Sequence, residues 1–233
     1  MNPIQNQTVL ITGANRGIGL EYAKQYAQDG WHVIACCRQL ANATNLQSLA
    51  EQYRQIQLCE LDVGNFDQID SVAKQLSDQP IHLLINNAGV YPPSSFRHTD
   101  YDAWAYAFKV NTMASLKLAE AFTSHMVKAG HAKFVAMTSK MGSIEDNTSG
   151  GEYSYRSSKT ALNMVVKSLS IDMEKYGVIV FALHPGWVRT DMGGPNGLID
   201  TQTSVSGLRQ VIDQLDERDT GRFIAYDGKE IAW

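Results

Sequence analysis

Short apolar runs alternating with longer amphipathic segments constrain this chain more than any other feature. Strand-like runs fall near residues 8–12, 32–37, 56–61, 82–86, 132–138, 178–184 and 222–226. Between them, helical patterns fit near 16–29, 44–53, 65–77, 100–128, 153–176 and 202–216. Strands that follow one another in the same direction need a crossover, and a helix supplies it while covering one sheet face. The pattern predicts an α/β fold: a doubly wound parallel sheet of about seven strands with helices on both faces. The 233 residues contain no linker-like shift in composition, so a single domain over residues 1–233 is expected. The helix near 153–176 is the best defined, with Leu162, Val165, Val166, Leu169 and Met173 forming one apolar stripe.

The first strand ends in Thr12-Gly13-Ala14-Asn15-Arg16-Gly17-Ile18-Gly19. Glycines after a strand and before a helix let the backbone approach a pyrophosphate, which the helix N-terminus then holds. That is a Rossmann-type arrangement, and no Gly-Lys-Ser/Thr follows to suggest a P-loop. Gly13, Asn15, Arg16, Gly17, Ile18 and Gly19 are the candidate contacts there.

Tyr155 and Lys159 stand four residues apart, one helical turn, on the inward continuation of the stripe. A tyrosine has a pKa of roughly 10, and lowering it to about 7 requires about 4 kcal/mol in favour of phenolate. A unit charge about 4 Å away supplies roughly 1 kcal/mol in water and roughly 4 in partly buried surroundings. The pair therefore works as an acid–base device only inside a cleft, with Lys159 expected to depress the Tyr155 pKa.

Other polar candidates follow strand ends, where open parallel sheets bind ligands. They are Asp62 with Val63, Asn86-Asn87-Ala88-Gly89, Ser139, and Pro185-Gly186 with Val188 and Thr190; Asn111 falls inside the helical pattern at 100–128. Together these motifs resemble the short-chain dehydrogenase/reductase family over essentially the whole chain. The stretches 146–151 and 184–194 and the ending Tyr226-Asp227-Gly228 are similar to its C-factor and sniffer-type carbonyl reductase subgroup. The resemblance implies Tyr155 as acid or base, Ser139 as donor to the substrate oxygen, and Lys159 on the nicotinamide ribose. It further implies a water held by Asn111, Asp62 and Val63 at the adenine, and Asn86, Ala88 and Gly89 against the cofactor, with Asn87 alternatively bracing the strands. Pro185, Gly186, Val188 and Thr190 are assigned to the carboxamide. Fifteen residues separate Ser139 from Tyr155, more than the family pattern has, so Ser143 competes for the serine role.

An NAD-binding site places an acid after the second strand to hold the ribose 2′-hydroxyl. Residues 36–38 offer none, whereas Arg38 and Arg16 suit a 2′-phosphate. NADP(H) is the expected cofactor, with NAD(H) left open. The expected function is reduction of a small carbonyl compound, whether aldehyde, ketone or quinone, or oxidation of the matching alcohol. The alternative is a C-factor-type signalling protein that binds cofactor with little turnover.

A net charge of −4 gives no electrostatic case for nucleic acid or an anionic membrane. No apolar run is long enough to span a bilayer, and with the first strand entered by about Thr8 no leader segment is expected. Cys36, Cys37 and Cys59 form no disulfide framework, so reduced thiols and a cytoplasmic location are expected. The six histidines show no ligand spacing, and no metal is expected. The resemblance implies a homodimer or homotetramer joined through helices near 100–128 and 153–176. Gly193, Gly194, Pro195 and Gly197 suggest a mobile lid, and Tyr91, Phe96, Tyr153, Trp187 and Met192 an apolar substrate wall. Asp227-Gly228 predicts a tight turn.

Overall fold

The computed structural model describes residues 7–233, so the expected absence of a leader falls partly on residues outside the described ones. Seven strands form one parallel sheet in the order β3-β2-β1-β4-β7-β8-β9. They are β1 (Thr8–Thr12), β2 (His32–Cys37), β3 (Ile56–Glu60), β4 (Leu83–Asn86), β7 (Ala132–Met137), β8 (Val178–His184) and β9 (Phe223–Ala225). A two-stranded ribbon that the sequence did not announce, β5 (Ser94–Ser95) with β6 (His98–Thr99), follows β4.

The helices are α1 (Gly17–Gln28), α2 (Thr44–Gln52), α3 (Phe66–Gln75), α4 (Tyr101–Phe108), α5 (Ala114–Ala129), α6 (Tyr153–Asp172) and α7 (Thr201–Gln214). Both sheet faces are buried, which is why the strands are apolar throughout rather than alternating. Leu10 of β1 packs with Ile69 and Val72 of α3, Phe122 of α5 and Leu162 and Val166 of α6. Its neighbours Val9 and Ile11 point the other way, to Tyr22 and Tyr26 of α1, Leu46 of α2 and Leu208 of α7. Each fully buried Phe or Leu of these two layers contributes about 1.5–3 kcal/mol.

The single helix expected over 100–128 is broken by a π-helical turn, Lys109–Met113. Here the chain buries Val110, Asn111 and Thr112 in succession. Such a widened turn is a device common where a helix carries a functional side chain. Hydrophobic periodicity does not reveal one extra residue per turn. The expected turn at Asp227-Gly228 is present, with Gly228 at φ +82° and Ile224 bridged to Glu230. No helix among the described residues is long and apolar enough to cross a membrane.

His184, at the end of β8, ties that strand to the loop after β7, because its Nδ1 accepts the Lys140 N–H at 3.2 Å. Burial, aided by the Lys140 charge, lowers its pKa to about 4. The unfolded chain therefore binds more protons than the folded one between about pH 4 and 6.5, and stability falls as pH drops through that window. In urea unfolding at stepped pH, His184→Gln should lose less stability between neutrality and pH 4 than the parent; identical losses would refute the assignment.

Candidate active site

At β1 the strand order reverses, with β2 on one side and β4 on the other. Crossovers leave such a switch point on opposite faces, so a crevice opens at the strands' carboxyl ends. Here it is a cleft of about 820 Å³. Gly13, Asn15, Arg16, Gly17, Ile18 and Gly19 border it, as do Arg38, Asp62, Val63, Ala88, Gly89, Tyr155, Lys159, Pro185 and Thr190. Asn86, Asn111, Ser139, Gly186 and Val188 lie outside its lining.

The glycine turn is built for close approach. Gly13 and Gly17 sit at φ +66° and +54°, and a Cβ on Gly19 would meet the Gly13 carbonyl oxygen at 2.2 Å. Asn65, Asp100 and Asp200 cap α3, α4 and α7 with side-chain oxygens, whereas Arg16 gives α1 no such cap. The first N–H groups of α1 thus face the cleft without a side-chain acceptor, as an anion site requires. Arg16 itself reaches across to Asp191, Nη1 to Oδ2 at 2.8 Å. No sequence signal announced that partner.

One threonine joins the two sides of the switch point. Thr12 Oγ1 accepts the N–H groups of Asn87 and Ala88, each at 3.0 Å, and donates to Asn86 Oδ1 at 3.3 Å. Asn87 Nδ2 returns to the carbonyls of Thr12 and Gly13 at 2.9 and 3.2 Å. Asn87 is therefore the brace, and Asn86 turns inward, 3 % exposed. Asp62 Oδ1 accepts the Gly64 N–H at 2.8 Å, fixing the turn after β3. Arg38 is exposed after β2, and Glu60, whose carboxylate reaches the same loop, accepts the Leu40 N–H at 3.2 Å.

Tyr155 and Lys159 share the inner face of α6, 8 % and 4 % exposed. Ser139 lies beside the Tyr155 phenol, its Oγ accepting the Met141 N–H at 3.1 Å, and the Tyr91 ring lies against the phenol with centroids 4.3 Å apart. The expected depression of the Tyr155 pKa by Lys159 is not what this arrangement produces. Burial raises Tyr155 to about 12 against the lowering by Ser139. Lys159 Nζ donates to the Met137 carbonyl at 2.8 Å and stands 5.8 Å from the phenol ring centroid, while its own pKa falls to about 8 by burial. Loss of hydration outweighs the attraction because the ammonium is aimed at a carbonyl rather than at the phenol oxygen.

The two serines separate by surroundings. Ser143 accepts the Asp146 N–H at 3.2 Å and donates to the Trp233 carbonyl at 3.4 Å, so only Ser139 stands beside Tyr155. Asn111 is buried, not solvated mid-helix. Its Oδ1 accepts the Val90 N–H at 2.8 Å and its Nδ2 donates to Val90 O and Ser158 Oγ at 2.9 and 3.0 Å. It thus clamps the segment after β4 to α6.

Beyond β8, Gly186, Gly193 and Gly197 serve packing, whereas a Cβ on Gly194 would meet open space. A Cβ on Gly186 would strike Tyr226 and Ile199 near 2.9 and 2.8 Å, one on Gly193 the Val188 carbonyl oxygen at 2.0 Å, and one on Gly197 the Arg189 nitrogen at 2.5 Å. The Trp187 indole donates to the Gly193 carbonyl at 2.7 Å, which folds the expected lid on itself. Of the expected apolar wall, Met192 borders the cleft, and Phe96 and Trp187 are exposed. Among the described residues no three His, Cys, Asp or Glu side chains gather as a metal site.

The solved carbonyl reductase Sniffer of D. melanogaster is 35 % identical with a TM-score of 0.90, covering 98 % of this chain and 100 % of that one. The NADPH-bound carbonyl reductase from chicken fatty liver is 34 % identical with a TM-score of 0.92 and the same coverage. The C-signal protein of Myxococcus xanthus is 41 % identical over 155 residues, 66 % of this chain and 93 % of that protein. The family model described as short chain dehydrogenase matches residues 7–198. The cleft at the switch point, the uncapped glycine turn and the buried Tyr155–Lys159 pair agree with that match: the chain belongs to the short chain dehydrogenase family and is an oxidoreductase.

Proposed function

We propose that the protein reduces a small aldehyde, ketone or quinone with NADPH. The observation that carries the reading is a buried phenol held protonated at the inner end of the cleft. With a pKa near 12, Tyr155 is in the acid form at neutral pH, the form that gives a proton to a carbonyl oxygen. Ser139, beside it, donates a second hydrogen bond to the same oxygen and stabilises the charge that develops there. Lys159, with its pKa cut to about 8, is a buried amine that gives and takes protons near neutrality, and it holds the ribose hydroxyls. Bound NADPH supplies the hydride.

The cleft fits such a cofactor. The uncapped end of α1 takes the pyrophosphate, Asp62 and Val63 the adenine, and Ala88 and Gly89 allow close approach. Pro185 and Thr190 border the nicotinamide end. Asn86, Asn111, Gly186 and Val188 act by holding these segments in place. Arg38, exposed in the cleft wall, takes the 2′-phosphate; Arg16 joins it once released from Asp191. The neighbour from chicken fatty liver, described as NADPH bound, supports the choice of cofactor. The family likeness supports a cytoplasmic homodimer or homotetramer, and Met113 of the π-helical turn, Leu116 of α5, and Met164 and Ile171 of α6 are exposed apolar residues.

The C-signal relative favours a second reading, a signalling protein in which bound cofactor matters more than turnover. The two separate by assaying NADPH oxidation over a panel of aldehydes, ketones and quinones. Reductase activity should appear, and Tyr155→Phe should lower kcat about a hundred- to ten-thousand-fold. Ser139→Ala should lower kcat and Ser143→Ala leave it. Tight NADPH binding without turnover on any carbonyl would favour signalling.

Cofactor choice has its own test. Arg38→Ala should raise KM for NADPH about 10- to 100-fold, the worth of one charge-assisted hydrogen bond, and leave KM for NADH within about twofold. Equal losses for both cofactors would place Arg38 outside the 2′-phosphate site.

A further inference from the structure

We propose that Cys36 and Cys59 form a reversible disulfide when the protein meets a hydroperoxide, which makes the β2–β3 pair a modification site.

The two cysteines are register partners on adjacent parallel strands, Cys36 opposite Cys59 and Cys37 opposite Glu60. Neighbouring strands run about 4.7–4.9 Å apart, inside the Cα separation of about 4.4–6.8 Å that a disulfide spans. Both side chains lie on the same face: Cys36 belongs to the core layer of Leu10 and Ile34, and Cys59 packs against that layer. Cys37 points into the opposite layer with Val33 and Ala35, so the sheet separates it from Cys59. The Cys36 thiol is directed at the Ile34 carbonyl and that of Cys59 at the Glu60 carbonyl, so neither sulfur is held by a polar side chain.

Access and reactivity divide between the partners. Cys36 is fully buried and Cys59 half-buried, so an oxidant reaches Cys59 first. The neighbouring Cys36 thiol also holds the Cys59 thiol below its ordinary value, favouring the nucleophilic thiolate. The thiolate of Cys59 attacks the peroxide oxygen, the O–O bond breaks, and hydroxide leaves with a proton as water; Cys59 becomes a sulfenic acid. The sulfur of Cys36 then displaces that hydroxyl as a second water. Two thiols lose two electrons and two protons, and the peroxide takes them up. The same strand ends support the cleft: the Cys36 carbonyl accepts the Ala14 N–H at 2.9 Å and the Cys37 carbonyl the Leu61 N–H at 2.8 Å.

The test treats the native protein with hydrogen peroxide, then alkylates it in denaturant and reads intact mass and peptide maps. The expected product is a monomer lacking two hydrogens, with one of its three cysteines alkylated and full alkylation restored by dithiothreitol. Cys37→Ala should still cross-link and retain no cysteine to alkylate, and Cys59→Ala should not cross-link. Three alkylated cysteines, Cys59 carried to sulfinic or sulfonic acid without a cross-link, a disulfide-linked dimer, or loss of the cross-link in Cys37→Ala would each overturn the proposal.

Discussion

Burying an amine beside a phenol is the constraint on which the rest of this site depends. Lys159 is 4 % exposed, and its Nζ donates to the carbonyl of Met137, the last residue of β7. An ammonium in that place loses hydration that one carbonyl only partly replaces, so its pKa falls to about 8. The same burial stabilises the neutral phenol of Tyr155. The packing needed to hold α6 so close is specific. A Cβ on Gly142 would meet the Lys159 backbone at 2.9 Å. Thr138 Oγ1 donates to Asn163 at 2.7 Å, and Asn163 donates to the Gly142 carbonyl at 3.2 Å, locking α6 onto the loop that carries Ser139.

The nucleotide half of the cleft follows from a second constraint, the reversal of strand order at β1. Carboxyl ends of strands at a switch point diverge, and something must hold them at a fixed spacing. Thr12 and Asn87 do so with four hydrogen bonds between the two segments. The glycine turn is thereby presented at a set distance from Ala88 and Gly89. The ion pair between Arg16 and Asp191 closes the far side, and at 67 % and 74 % side-chain exposure it is weak enough for a ligand anion to displace.

Most of the architecture was legible because it is written in local patterns. Seven apolar runs became seven parallel strands, and the stripe through Leu162, Val166, Leu169 and Met173 is buried as its spacing required. What was not legible depends on geometry that no local pattern encodes. The π-helical turn at Lys109–Met113 looks like ordinary helix in sequence, yet it turns Asn111 inward. Spacing put Tyr155 and Lys159 on one face but could not say where the ammonium points, and its aim at Met137 leaves burial to set the phenol. The Asp191 partner of Arg16 lies 175 residues away and carries no motif. Glycines past β8 read as looseness, whereas the structure uses Gly193 and Gly197 to bring backbones together.

The central claim is that burial, rather than the neighbouring lysine, sets the ionisation of Tyr155 in the free protein. A tyrosinate absorbance titration of the wild-type chain minus that of Tyr155→Phe measures this one phenol. The account predicts no difference signal through neutrality and a transition centred near pH 12, above the roughly 10 of a free tyrosine. A difference transition centred near pH 7 would contradict it and return to Lys159 the role its spacing first suggested.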